Sequence, residues 1–174
     1  MQVRDLTKMA MCVALCCVTA YISFPLPFTP GLVTALTFAL SLSAYLLPPR
    51  QTFTVVLIYI LMGAVGLPVF AGGEGLSRLV GPAGGFYFAW IPAYALLSLA
   101  KGKLPNFKRY MLANVLIAVP ITYVGGVLSM MLVLDVSLWQ AMTMAVLPFI
   151  PGDLMKAAAA AVLGVKLQKI LGGR

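Results

Sequence analysis

The chain has 174 residues, of which 62% are hydrophobic and 9% are charged, and its formal net charge is +8. Soluble domains carry about 25% charged residues, so this composition excludes a soluble protein and indicates an integral membrane protein. The apolar stretches lack the alternation of a membrane β-barrel, and we therefore expect an all-α fold.

We predict a single transmembrane domain over residues 1–174, with six spanning helices, because a span needs roughly 17–25 residues. In chain order the predicted spans cover residues 6–24, 31–47, 52–66, 86–99, 111–134 and 151–171. Prolines follow the first two spans and end them. The opening is similar to a signal peptide, but it lacks a small-residue cleavage motif, so we expect it to remain as the first helix. Residues 139–148 are predicted to form a short helix that re-enters from the interface.

The positions of the basic residues predict the orientation. Six spans place both termini on one side, together with the second and fourth loops. These regions hold ten of the twelve basic residues: Arg4, Lys8, Arg50, Lys101, Lys103, Lys108, Arg109, Lys166, Lys169 and Arg174. The opposite loops hold only Arg78. The positive-inside rule therefore puts both termini in the cytoplasm, and the positive charge indicates contact with the lipid bilayer rather than with nucleic acid.

Two charges stand inside the predicted sixth span, at Asp153 and Lys156. A charge at bilayer depth costs about 2.5–3.5 kcal/mol, and residues three apart share one helix face. We predict that the two side chains pair with each other at a functional site facing the bundle interior. The alternative is an ion pair that only fixes helix packing.

The segment from 66 to 85 is rich in glycine and lies, by the predicted orientation, on the same outer side as Asp153. Such glycines permit positive φ and a close approach of the main chain to a ligand. Phe70 is one of several apolar anchors that favour a folded lid over a flexible connector. The segment lacks the Gly-Lys-Ser/Thr ending of a phosphate loop.

Catalysis is not expected. The chain has no His and only four acidic residues, so it offers neither the clustered ligands of a zinc site nor a pair of intramembrane acids. We predict no enzyme activity, no metal and no cofactor. In the first helix Ala10 and Ala14 form a small-x-x-x-small pair, which permits close helix packing.

Three sequence blocks carry a resemblance to a known family. They are Gly-Leu-Pro-Val-Phe-Ala-Gly-Gly at 66–73, Gly-Pro-x-Gly-Gly-Phe at 81–86, and Pro-Phe-Ile-Pro-Gly-Asp-Leu-Met-Lys-Ala at 148–157. In order and spacing they are similar to the signature blocks of the BioY family, the biotin-binding S components of energy-coupling factor (ECF) transporters. The resemblance implies a six-helix protein of a prokaryotic plasma membrane that captures biotin outside. It also implies a transmembrane coupling protein and two cytoplasmic ATPases as partners, with Ala10 and Ala14 facing the coupling protein.

With biotin as the implied ligand, Asp153 and Lys156 would bind the two N–H groups and the carbonyl of its ureido ring. Candidate apolar walls are Phe70, Phe86, Tyr87 and Trp90. The carboxylate tail would meet Arg78 or loop N–H groups such as that of Gly73, with Glu74 beside them. Two alternatives remain: an S component for another vitamin, such as thiamine or riboflavin, and a structural membrane subunit without a ligand.

Overall fold

A computed structural model describes residues 2–73 and 75–172, and this part of the chain is mostly helical. Its α-helices are α1 (Val3–Ala20), α2 (Leu36–Leu46), α3 (Pro49–Ala64), α4 (Leu76–Val80), α5 (Gly84–Ala100), α6 (Phe107–Ala113), α7 (Val119–Leu134), α8 (Leu138–Ala145) and α9 (Ile150–Gly172). A π-helical turn (Asn114–Ala118) joins α6 to α7. Two short strands, β1 (Ser23–Pro25) and β2 (Leu32–Thr34), pair in antiparallel register, with Phe24 opposite Val33.

The hairpin corrects two predicted helix ends and the expectation of a purely helical fold. We expected helix up to Phe24 and again from Gly31, whereas α1 ends at Ala20 and α2 begins at Leu36. The intervening segment contains three prolines, which fix φ and lack the N–H that a helix interior requires. Apolar content alone did not reveal this, because an apolar strand and an apolar helix end have the same composition.

Helix α5 packs against α2, α3 and α7, and α2 packs against α1 and α9. The closest backbone approach of α5 and α7 is at Gly85 and Gly125. A β-carbon at Gly85 would lie 2.0 Å from the carbonyl oxygen of Gly125. The absence of side chains at both positions lets the two backbones touch. Helices α2, α5, α7 and α9 all contribute residues to one shared cavity.

A buried polar cluster ties α2 to the π-helical turn. Asn114, within that turn, donates from Nδ2 to the Ser41 hydroxyl at 2.8 Å and to the Tyr45 hydroxyl at 3.1 Å. Tyr45 also stacks on Tyr110, with ring centroids 4.3 Å apart. At the end of α2, the Lys101 ammonium donates to the carbonyl of Ala44 at 2.8 Å. These bonds satisfy polar groups that would otherwise be costly to bury.

Among the described residues, one helix is long and apolar enough to cross a membrane, the continuous helix Phe107–Leu134 of 28 residues. Helices α8 and α9 meet at 46°, and only together are they long and apolar enough to form a broken span or a re-entrant loop. Helices α2 and α5 are apolar but have only 11 and 17 residues. The short helix expected before the last one is present as α8. The count of six spans and their orientation stay predictions.

The glycine-rich segment is folded onto the bundle. Its middle forms α4, which packs on α5 and α3. The Phe70 ring fills the space beside Gly63, where a β-carbon would lie 2.1 Å from the ring. Gly72 and Gly75, on either side of the loop's tip, have φ of 74° and 71°, a conformation that favours glycine. The segment therefore covers one end of α3 and α5.

Candidate functional site

The charged pair lies at the start of α9. Pro151 stands in its first turn, where a missing N–H costs nothing, and Asp153 stands where a negative charge interacts favourably with the helix dipole. Lys156 follows one turn later, and its Nζ lies 2.6 Å from Oδ1 of Asp153. The side chains are 18% and 12% exposed for Lys156 and Asp153. The two charges are partners of each other, as the sequence predicted.

Three other elements contact this pair. The hydroxyl of Tyr123, on α7, donates to Oδ2 of Asp153 at 2.8 Å, and that of Thr37, on α2, donates to Oδ1 at 3.4 Å. Lys156 donates to the carbonyl oxygen of Thr34, on β2, at 3.0 Å. A carboxylate accepts about four hydrogen bonds and an ammonium donates three. The pair thus retains capacity for one further donor and one further acceptor, side by side.

A cavity opens directly onto Asp153 and Lys156. It contains about 600 Å³ of space outside the protein atoms, part of it open to solvent. Residues of α2, β2, α4, α5, α7 and α9 line it, and its aromatic walls are Phe86, Tyr87 and Trp90 with Phe149 opposite. A mostly apolar cleft with a few convergent polar groups is the usual form of a small-molecule site.

Three buried polar atoms along this cavity lack a hydrogen-bond partner. They are Nε of Arg78, Nε1 of Trp90 and Oγ1 of Thr122, and all three residues line the cavity. Within residues 2–73 and 75–172 these are the only buried side-chain nitrogen or oxygen atoms without a partner. Leaving such a group unpaired costs about 1–3 kcal/mol, so a polar ligand in this cavity could gain hydrogen bonds to all three residues.

The predicted apolar walls separate into two groups. Phe86, Tyr87 and Trp90 line the cavity from α5. Phe70 is 2% exposed and lies behind this wall, with its ring centroid 4.5 Å from that of Tyr87. Its contacts with Tyr59 and Tyr87 support the wall from behind.

The predicted loop contacts are distributed differently. Arg78 lines the cavity from α4, and its guanidinium interacts with the Tyr87 hydroxyl. Gly73 does not line the cavity. Its φ is 143°, and a β-carbon added to it would lie 4.0 Å from Cδ of Arg78. Glu74 lies outside the described residues. Ala10 and Ala14 are both exposed on α1, which contributes nothing to the cavity.

The sequence did not predict ten of the sixteen residues that line the cavity, and these ten include the polar or aromatic residues Thr37, Thr122, Tyr123 and Phe149. Thr122 and Tyr123 carried a usable signal, since they are polar residues inside the most apolar span and such residues usually face the bundle interior. Thr37 is likewise a polar residue inside a predicted span, and Phe149 lies in the third signature block, but neither signal shows which residues they contact. Their positions depend on how α2 and α9 pack.

The donor set does not suit a metal ion. No group of three or more His, Cys, Asp or Glu side chains that could hold one is found in the part of the chain that the structure describes. Asp153 is instead neutralised by an adjacent cation. The arrangement suits an organic ligand that presents an N–H donor and a carbonyl acceptor close together.

Known proteins resemble this chain over nearly its full length. The BioY family matches residues 1–173. "Biotin transporter BioY" of Thermotoga maritima is 35% identical over 96% of this chain and 97% of its own. "Probable biotin transporter BioY" of Pyrococcus horikoshii is 34% identical over 97% of this chain and 98% of its own. A crystal structure of the S-component for biotin from an ECF-type ABC transporter superposes with a TM-score of 0.87, at 24% identity, over 96% of this chain and 92% of that chain. This last likeness concerns the fold.

Proposed function

The chain belongs to the BioY family, and on that premise we propose that it is the biotin-binding membrane subunit of an ECF transporter. The observation that carries the proposal is the convergence of the Asp153–Lys156 pair and three unpartnered polar atoms on one cavity. A bound polar ligand would give these groups hydrogen-bond partners, which a ligand-free structural subunit would not supply.

The polar head of biotin matches the free capacity of the charged pair. Its ureido ring carries two N–H donors flanking one carbonyl oxygen. Asp153 accepts one N–H in addition to its bonds from Thr37 and Tyr123, and Lys156 donates its remaining proton to the carbonyl. Hydrogen bonds to charged groups contribute about 1.5–3 kcal/mol each, so these two contacts make a large contribution to the affinity.

The remainder of biotin is apolar up to its carboxylate. Phe86, Tyr87 and Trp90 pack against the bicyclic ring and the valeryl carbons, with Phe70 holding Tyr87 in place. Arg78 binds the carboxylate, which its unpartnered Nε supports, and the N–H of Gly73 is a further candidate donor to it. The segment 66–85 acts as the lid over the bound vitamin.

The membrane arrangement follows from the charge distribution. The protein crosses a prokaryotic plasma membrane six times with both termini in the cytoplasm, which places the cavity on the outer side. Uptake against a gradient requires energy from outside this chain. A transmembrane coupling protein, docked on the exposed Ala10 and Ala14 of α1, and two cytoplasmic ATPases supply it.

A competition experiment tests the ligand. Purified protein in detergent is equilibrated with labelled biotin, followed by unlabelled biotin, thiamine or riboflavin. We expect saturable binding that only unlabelled biotin displaces. Displacement by thiamine or riboflavin would identify an S component for another vitamin, and a folded protein without saturable binding would identify a structural subunit.

A further inference from the structure

A second cleft lies far from the biotin cavity, where the loop after α5 meets the first turns of α6. It is broad and open, with about 1610 Å³ of space outside the protein atoms, most of it continuous with the surroundings. Its polar end contains the exposed basic side chains of Lys103, Lys108 and Arg109. We call this feature the α6 groove. It belongs neither to the vitamin site nor to the Ala10 and Ala14 face of α1.

The basic end of the α6 groove has a defined geometry. Nε of Arg109 donates to the carbonyl of Ala100 at 2.9 Å, which fixes the guanidinium against the loop. Gly102 makes room for it: a β-carbon there would lie 2.5 Å from Cζ of Arg109, and φ of Gly102 is 77°. Within the described residues, the only ion pair joins Asp153 to Lys156, so no carboxylate among them neutralises these three cations.

The remainder of the α6 groove is apolar. Arg109, Leu112 and Leu116 follow one another at helical spacing along one face, so the stripe extends about 10 Å from the guanidinium. Leu104, Leu112 and Leu116 are 79%, 58% and 69% exposed. This stripe belongs to Phe107–Leu134, which among the described residues is the one helix long and apolar enough by itself to cross a membrane.

Cations at one end and an exposed aliphatic stripe at the other match an amphiphile with a negative head and a hydrocarbon tail. We propose that the α6 groove is a binding site for an anionic phospholipid of the cytoplasmic leaflet. The phosphate is held by Lys103, Lys108 and Arg109, and the first part of an acyl chain runs along Leu112 and Leu116. Charge complementarity favours this occupant over a zwitterionic lipid, whose ammonium group would meet the same cations.

The test uses full-length protein in a neutral detergent, titrated with phosphatidylglycerol or phosphatidylcholine, with bound lipid counted by native mass spectrometry. We expect the protein to bind phosphatidylglycerol in preference to phosphatidylcholine. The variant Lys103→Gln with Lys108→Gln keeps the Arg109–Ala100 bond and should bind phosphatidylglycerol about 25-fold more weakly, since each basic side chain contributes roughly five-fold at an anionic surface. Gly102→Ala should also weaken binding by displacing the guanidinium.

The matched control is Lys166→Gln with Lys169→Gln, which removes the same charge from exposed positions of α9 outside the groove. It should change the affinity by less than about two-fold, and unchanged thermal melting verifies that every variant is folded. Equal losses in the two double variants would reduce the effect to net charge and overturn the proposal. Equal binding of the two lipids, or equally effective competition by soluble glycerol phosphate, would also overturn it. A Lys103 and Lys108 variant that keeps lipid but fails to assemble with the transporter module would identify a protein interface instead.

Discussion

At the residue scale, the charged pair is satisfied before any ligand arrives. Asp153 has Lys156, Thr37 and Tyr123 as partners, and Lys156 also has the Thr34 carbonyl. A ligand bound as proposed would therefore add to existing bonds and would not need to break the ion pair. This pre-formed arrangement keeps the reorganisation cost of binding low.

Replacing Asp153 by Asn should weaken biotin binding by about 2–5 kcal/mol, or roughly 30-fold or more, because it removes a ligand contact and leaves Lys156 without its counter-charge. Equilibrium binding to the purified variant measures this loss. The control is an apolar replacement of the charged pair, Asp153→Leu and Lys156→Met, with Tyr123→Phe because that hydroxyl would lose its acceptor. The control should fold and bind no biotin. Undiminished affinity in a folded control would remove these residues from the site.

Thr122→Val should leave thermal stability equal or higher, because the buried hydroxyl has no partner in the free protein. If the hydroxyl bonds to biotin, affinity should fall by roughly 2- to 10-fold. Thr52→Val is the matched control, since the buried Thr52 hydroxyl donates to the carbonyl of Pro48 at 3.2 Å. It should lose about 1 kcal/mol of stability with biotin affinity unchanged. Unaltered affinity in Thr122→Val would exclude that hydroxyl from the ligand contacts.

At the element scale, the width of the cavity depends on the contact of α5 with α7, because α5 supplies the aromatic wall and α7 supplies Thr122 and Tyr123. The two helices touch at Gly85 and Gly125. Any side chain inserted there must separate the two walls.

Gly125→Ala should destabilise the protein by about 1–3 kcal/mol, because its β-carbon would lie 2.4 Å from Cβ of Ala89 and 2.5 Å from the Gly85 carbonyl oxygen. Biotin affinity should fall with it. Gly152→Ala is the control, since nothing lies within 4 Å of that β-carbon and Ala favours the helix by up to about 1 kcal/mol. The melting temperatures of the two variants, measured with and without biotin, give the comparison. Equal melting temperatures would show that α5 and α7 can separate without cost.

Ala14→Trp tests the exposed face of α1. A bulky ring at Ala14 should block the close approach of a partner helix and abolish biotin uptake by cells, while the purified subunit still binds biotin. Leu132→Trp, on α7 and 84% exposed, is the control and should leave uptake intact. Loss of biotin binding together with uptake would point instead to a role of Ala14 in folding.

At the scale of the whole molecule, the proposed orientation connects both binding surfaces to the transport direction. It places the cavity of Asp153 and Lys156 on the outer side and the α6 groove on the cytoplasmic side. Helix α9 begins at the cavity and carries Lys169 in its last turn. The side of the membrane on which each of these two surfaces lies therefore depends on the same predicted orientation.

Single-cysteine labelling measures this assignment in a background without Cys12, Cys16 and Cys17. Leu76→Cys is preferable to a cysteine at Gly75, whose φ of 71° disfavours a side chain. A membrane-impermeant reagent added outside should label position 76, which is 65% exposed, and should not label Lys103→Cys. Labelling at 103 but not at 76 would reverse the orientation.

The helical fold, the charged pair and the family follow from the sequence by itself. Composition requires helices, because an apolar backbone segment in lipid must satisfy its own hydrogen bonds. The cost of isolated charges pointed to Asp153 and Lys156 as partners, and the spacing of three residues placed them on one face. The three signature blocks indicated the family, which the full-length match confirms. Each of these inferences depends on local spacing or on composition.

The tertiary structure alone decided what surrounds the pair. Thr37, Tyr123 and the Thr34 carbonyl come from three elements that are 30 or more residues away in sequence, and their convergence depends on helix packing. The same packing left Arg78, Trp90 and Thr122 with unpartnered atoms on one cavity. It placed Phe70 behind the wall and replaced two predicted helix ends by a hairpin. Periodicity identifies which residues are apolar or paired along one helix, but distances between helices depend on contacts such as that of Gly85 with Gly125, which no local pattern specifies.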